Sequence, residues 1–193
     1  MTIKIGAIVL AAGFSNRFGS LKLCAELNNG STVFEQTLQR IRASISEYKV
    51  VTRPEIAHQL DSVETELNIF HDAEKGMGST IAFGIGLIDD WDACLICLAD
   101  MPFIREDTYR RLATELTSEN IVSPFYEQQA GNPMGFGRKF FPELTQLSGD
   151  SGGKPIVQAH KASVVRVSIE EPTILYDIDT PQDLDKFQAA LSS

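Results

Sequence analysis

Two cations and three carboxylates, spread over most of the chain, stand where their surroundings make chemistry possible. Arg17 and Lys22 lie in the loop Gly13 to Lys22, directly after the apolar run Ile8-Val9-Leu10. Gly13 and Gly19 let the backbone approach a ligand closely, Ser15 offers a hydroxyl and the two cations offer charge, the ingredients of a polyphosphate site. Asp100 stands just past the apolar run Ala93 to Leu98. A carboxylate there is desolvated unless it meets a cation, and Mg²⁺ held with phosphates is the usual cation at such an edge. Asp177 and Asp179 alternate, and on a strand they share one face, as paired metal ligands would. Each element also has a plainer reading: a strand-to-helix turn for the loop, a helix cap for Asp100, a solvated strand end for Asp177 and Asp179.

The first loop is neither of two common phosphate loops. Five residues separate Gly13 from Gly19 and Ser20 follows, so a Walker A loop is excluded; Ser15 stands where a dinucleotide fingerprint needs its second glycine. Three further stretches invite a ligand. Thr52 and Arg53 close a short strand, at the edge where open α/β sheets bind. His71 to Thr80 is a glycine-rich turn that opens a helix, where Gly78 and Ser79 can present N–H groups to a base or phosphate, or simply turn the chain and cap it. Gly149 to Lys154 is a second anion-friendly loop with a cation at its end, or a surface loop with turn glycines.

Leu10 to Lys22, Leu-Ala-Ala-Gly-Phe-Ser-Asn-Arg-Phe-Gly-Ser-Leu-Lys, resembles position for position the first loop of the nucleotidyltransferases that include MobA-like guanylyltransferases, molybdenum cofactor cytidylyltransferases, and sugar and isoprenoid nucleotidyltransferases. Leu98 to Pro102 matches the family's Leu-x-Asp-Met-Pro, Gly131-Asn132-Pro133 its Gly-Asn/His-Pro, and Asp177 to Pro181 its Asn/Asp-x-Asn/Asp-Thr-Pro. In the Gly149-Asp150 motif, Gly153 and Lys154 replace the usual Ala and Arg, and Lys cannot make the bidentate phosphate contact of a guanidinium. The resemblance spans Ile5 to Leu184 and is closest to molybdenum cofactor cytidylyltransferases. It implies a Rossmann-like, three-layer α/β nucleotidyltransferase fold, GT-A-like, with a mostly parallel sheet. It implies a nucleoside triphosphate bound by Leu10, Ala11, Ala12, Gly13, Ser15, Arg17, Gly19, Lys22, Thr52, Gly78 and Ser79. Arg17, Lys22 and Asp100 would carry catalysis, with Mg²⁺ on Asp100, Asp177 and Asp179. The acceptor side would be Pro124, Gly131, Asn132, Pro133, Gly149, Asp150 and Lys154. The Ala-Ala-Gly at Ala11 to Gly13 is typical of the cytidylyl branch. It implies CTP and a molybdopterin-type phosphorylated acceptor, with a molybdoenzyme maturation factor as a further partner. GTP-dependent transfer to molybdenum cofactor or another phosphorylated acceptor is the alternative, and a non-catalytic nucleotide-binding or cofactor-carrier module is an alternative of another class.

Positioning these groups needs alternating strands and helices. Strands are expected at Ile8 to Leu10, Lys49 to Thr52, Leu67 to Phe70, Ala93 to Leu98, Ile121 to Pro124 (with Pro124 as its stop), Val164 to Ile169 and Ile174 to Asp179. Thr32 and Glu35 form a capping box before a helix whose Phe34, Leu38, Ile41 and Ile45 share one face. Further helices are expected over Glu55 to Leu60, through Gly84 and Gly86, from Pro102 to near Ser118, over Phe140 to Leu147, and after Thr180, where Pro181 and Asp183 complete a cap.

A chain of 193 residues, 43% of them hydrophobic, can bury one full core, so a single domain over 1–193 is expected. The net charge of -9, from 17 basic and 26 acidic residues, disfavours nucleic acid or an anionic membrane as partner. A cationic loop in so acidic a chain points instead to a small anionic ligand. No signal peptide or membrane span is apparent, and three cysteines fit a reducing, cytoplasmic setting. Cys94 and Cys97 form a C-x-x-C, but three apart on a strand they point to opposite faces, which argues against a shared metal or disulfide.

Overall fold

The computed structural model describes residues 3–61 and 64–191. Among the described residues eight strands form one sheet: β1 (Ile5–Ala11), β2 (Glu47–Thr52), β3 (Leu67–Ile69), β4 (Ala93–Leu98), β5 (Ile121–Tyr126), β6 (Gln129–Ala130), β7 (Met134–Gly137) and β8 (Val164–Ser168). Their order is β3-β2-β1-β4-β7-β5-β6, with β8 paired to β5. The β3-β2-β1-β4 half is parallel throughout, and β5 and β8 are also parallel. β7 runs antiparallel between β4 and β5. This is the mostly parallel α/β sheet expected from the sequence.

Helices cover both faces, because the central strands are apolar on both sides. One face packs Ala7, Val9, Leu95 and Cys97 against α1 (Val33–Arg42), α4 (Glu106–Glu115) and α7 (Pro181–Leu191). The other packs Ile8, Val51, Cys94 and Ile96 against α3 (Met77–Ile85) and α5 (Phe141–Leu144). Cys94 and Cys97 are thus split between two cores, and burial pushes both thiols far above their ordinary range. α2 (Pro54–Leu60) and α6 (Lys154–Ala159) complete the layers.

Local signals explain most boundaries. The Thr32 hydroxyl accepts from Glu35 N at 3.2 Å, and the Glu35 carboxylate accepts from Thr32 N at 2.8 Å, closing the capping box of α1. Gly84 lies against the sheet: a Cβ there would sit 2.7 Å from Ile8 Cγ2.

Four expectations are corrected. α4 begins at Glu106 rather than Pro102, because Phe103 and Ile104 are drawn into the core and their carbonyls are taken by Arg40 Nη1 at 3.2 and 3.0 Å. β5 runs through Pro124 to Tyr126. Its partner on one side changes from β7, at Ile121 and Val122, to β6, at Phe125 and Tyr126, so the missing proline N–H falls in the gap. The expected helix over Phe140 to Leu147 is a 3₁₀ turn followed by only Phe141–Leu144. The segment before α7 is a 3₁₀ turn, Pro172–Leu175, followed by irregular chain, so Asp177 and Asp179 are not on a strand.

Candidate active site

β1 and β4 are neighbours, with Leu10 opposite Leu98, so the loop after β1 and the turn after β4 leave the sheet at the same edge. Ala99 N donates to Leu10 O at 3.1 Å, fastening the two. Ile178 N donates to Asp100 O at 3.1 Å and draws the distant segment 177–179 onto the turn. Main-chain hydrogen bonds thereby gather side chains that the sequence separates widely.

They converge in a cleft of about 540 Å³, within the usual range for a small-molecule site. Lys22 Nζ lies 2.5 Å from Asp100 Oδ2 and 3.3 Å from Asp179 Oδ1. Arg17 Nη2 reaches the other Asp179 oxygen at 2.8 Å, from a side chain still 73% exposed. The loop bends through Ser15, whose φ of 54° is left-handed, and Phe18 N donates to Ser15 O at 3.0 Å. The Ser15 hydroxyl in turn accepts from Lys22 N at 3.4 Å.

Asp100, Asp177 and Asp179 are the cleft carboxylates that could hold a cation beyond Lys22. Asp100 Oδ1 is buried with no hydrogen-bond partner among the described residues, an orphaned hard oxygen. Partial burial, and then the charges of Asp100 and Asp179, hold the Asp177 carboxyl above its usual range, although its opening to solvent screens the effect. Among the described residues no three His, Cys, Asp or Glu side chains form a cluster able to hold an ion.

Of the residues expected to bind nucleotide or metal, Leu10, Ala11, Ala12, Gly13, Ser15, Arg17, Lys22, Asp100, Asp177 and Asp179 all line this cleft. Thr52, Gly19, Gly78 and Ser79 do not. The buried Thr52 hydroxyl donates to Ala11 O, Gly78 N donates to Gly149 O, and the Ser79 hydroxyl donates to Lys75 O. The neighbours Glu74, Gly76, Met77 and Thr80 face the cleft instead. The acceptor residues divide. Asp150 lines the cleft, whereas Pro124, Gly131, Asn132, Pro133, Gly149 and Lys154 do not. Asn132 N and Gly131 N are engaged by Ile174 O and Pro124 O, each at 2.9 Å.

Phe14 and Asn16 are lining residues that spacing alone missed, whereas Gly76 and Met77 lie in the glycine-rich turn 71–80 already marked as a candidate for the nucleotide. For Gly76 the signal is a tertiary one: its φ is 98°, and a Cβ would meet Asp150 Oδ1 at 2.5 Å. Gly149 N donates to Lys75 O while Gly78 N donates to Gly149 O, so the turn before α3 and the loop of Asp150 are laced together.

A family model described as the MobA-like NTP transferase domain matches residues 7–164. The purine catabolism protein PucB of Bacillus subtilis is 28% identical over 200 residues, spanning 96% of both chains. The molybdenum cofactor cytidylyltransferase of Escherichia coli is 23% identical over 188 residues, 93% of each. The structure of Rv0371c from Mycobacterium tuberculosis superimposes with a TM-score of 0.87 at 24% identity, over 98% of this chain and 100% of that one.

Proposed function

The chain belongs to the MobA-like NTP transferase family, and from that premise we propose that it transfers CMP from CTP to the phosphate of a molybdopterin-type acceptor, releasing pyrophosphate in the cytoplasm. The observation that carries this reading is the meeting of Lys22 with Asp100 and Asp179 in one cleft beyond β1 and β4. Two cations and three carboxylates suit the joining of two polyanions better than any hydride or acyl chemistry.

An acceptor phosphate oxygen attacks the α-phosphorus in line; its new bond to phosphorus forms as the bond to the β-phosphate bridging oxygen breaks, and pyrophosphate leaves with that electron pair. The nucleophile is already an anion, so no side chain has to remove a proton. Lys22 and Arg17 hold the phosphates and neutralise charge that grows on the leaving group, and the backbone around Gly13 permits their close approach. Asp100, with Asp177 or Asp179, would hold Mg²⁺, which when bound supplies further charge neutralisation between the phosphates. Of the acceptor residues, Asp150 lines the cleft and would face the acceptor. Selection of CTP is assigned to the Ala11-Ala12-Gly13 backbone, where Ala12 is 6% exposed and lines the cleft.

The test is pyrophosphate release from each of the four nucleoside triphosphates with Mg²⁺ and molybdopterin. Release with CTP and formation of a cytidylylated product are expected. Release with GTP alone overturns the base assignment in favour of guanylyl transfer, and binding without release under every condition favours a nucleotide-binding or carrier module.

A further inference from the structure

Phe14 and Met77 are exposed large apolar side chains, 46% and 42% open, and both line the cleft that holds Lys22 and Asp100. Phosphates give neither of them a reason to be there. Phe14 is also held from behind. The guanidinium carbon of Arg53 lies over its ring, 4.5 Å from the centroid. Arg53 follows β2, its side chain only 12% exposed; Nη1 donates to Glu55 Oε2 at 3.0 Å, and Nε is buried with no hydrogen-bond partner among the described residues. The aromatic face beside the guanidinium offers the compensation that no oxygen supplies. A cation therefore pins the ring while nearly half of its surface stays open.

Strand order fixes where this ring lies relative to the phosphates. β1 has β2 on one side and β4 on the other. Lys22 meets Asp100 beyond β4, whereas Arg53 stands beyond β2. A triphosphate held at Lys22 can therefore set its base on the β2 side of β1, where Phe14 lines the same cleft.

We propose that Phe14, braced by Arg53, is the stacking platform for the nucleobase of the bound triphosphate. The inference rests on the nucleotidyltransferase reading above and adds the residue that grips the base. Every base has a π-face, so stacking supplies affinity to pyrimidine and purine alike and leaves base choice to edge contacts near Ala12.

The experiment measures calorimetric affinity for CTP and GTP, each with Mg²⁺, in the unaltered protein, Phe14→Leu and Phe14→Trp, with tripolyphosphate as a ligand that has phosphates and no ring. Phe14→Leu keeps an apolar side chain at an exposed position and lacks only the π-face. It should weaken the preferred nucleotide on the order of tenfold, while Phe14→Trp keeps the affinity and tripolyphosphate binds all three proteins equally. Nucleotide affinity unchanged in Phe14→Leu overturns the proposal. So does an equal loss for nucleotide and tripolyphosphate, which would mean that the loop and not the ring was disturbed. Pyrophosphate release is followed in parallel. A protein that binds nucleotide through Phe14 without releasing pyrophosphate counts against the transferase reading alone, and an active protein indifferent to Phe14→Leu counts against the platform alone.

Discussion

Lys22 Nζ sits 2.5 Å from Asp100 Oδ2, and the same ammonium is 3.3 Å from Asp179 Oδ1. The side chains of Lys22 and Asp100 are only 12% and 17% exposed, so each neutralises a charge that the interior would otherwise leave unpaired. The ammonium thus stands between two carboxylates, and a phosphate bound here would have to compete with them for it.

Removing one partner of this pair should therefore harm fold and function together, while removing both should harm function alone. Lys22→Met strands Asp100 and is expected to cost on the order of 2–3 kcal/mol of stability. The double variant Lys22→Met, Asp100→Asn should recover most of that loss in a denaturation experiment. Neither should recover activity, which falls at least roughly a hundredfold once the charge is gone. Recovery of pyrophosphate release in the double variant would show that the pair only supports the fold.

Asp177 and Asp179 differ in what holds them. Asp179 pairs with Lys22 and Arg17, whereas no ion pair of Asp177 is found among the described residues and its carboxyl is pushed up by burial and by Asp100 and Asp179. Without metal, Asp177→Asn should leave the melting temperature unchanged or raise it, and Asp179→Asn should lower it. With Mg²⁺ and CTP present, both variants should lose part of the thermal stabilisation that the unaltered protein gains. Chelation with EDTA should abolish pyrophosphate release. An Asp177→Asn protein stabilised by Mg²⁺ and CTP as fully as the unaltered one would leave Asp179 and Asp100 as the only candidates for ligands.

Asp183 makes the cap that aims Asp179. Its Oδ2 accepts from Thr180 N at 2.8 Å, from the Thr180 hydroxyl at 2.7 Å and from Asp179 N at 3.3 Å, and the bonds from Thr180 hold its carboxyl below the usual range. A carboxyl with a lowered folded pKa stabilises above its unfolded value and stops doing so as the pH falls through the folded one. Asp183→Asn should thus lower stability by about 1 kcal/mol at neutral pH, with the gap to the unaltered protein closing below about pH 4. A gap that persisted into strong acid would assign the loss to packing.

What the sequence made legible was local. The Thr32 and Glu35 box, the strand before Asp100 and the Thr180 cap each depend on residues within a few positions of one another, and they stand as expected. The side of a loop that faces a cleft is set by distant contacts. Gly78 and Ser79 have the right types for a nucleotide site, yet Gly149 O and Lys75 O occupy their donors and turn Gly76, Met77 and Thr80 inward. Pro124 reads as a strand stop, and only the exchange of partner strands beside it explains why β5 continues. Phe14 was in plain view within the first motif, but its exposure and its contact with Arg53 required the fold.

Two glycines of the cleft separate binding from folding. A Cβ built on Gly13 meets nothing within 4 Å, so Gly13→Ala should change stability by less than about 0.5 kcal/mol. The methyl would project where the backbone must approach phosphate, and nucleotide affinity should fall on the order of tenfold. Gly76 is the reverse case. Its φ is 98° and a Cβ would press on Asp150 Oδ1 and the Gly149 backbone, so Gly76→Ala should cost about 2 kcal/mol or more and loosen the lacing between the two loops. Thermal melts and CTP titrations of both variants decide the matter: if Gly13→Ala bound CTP normally, the first loop would not be where the phosphates lie.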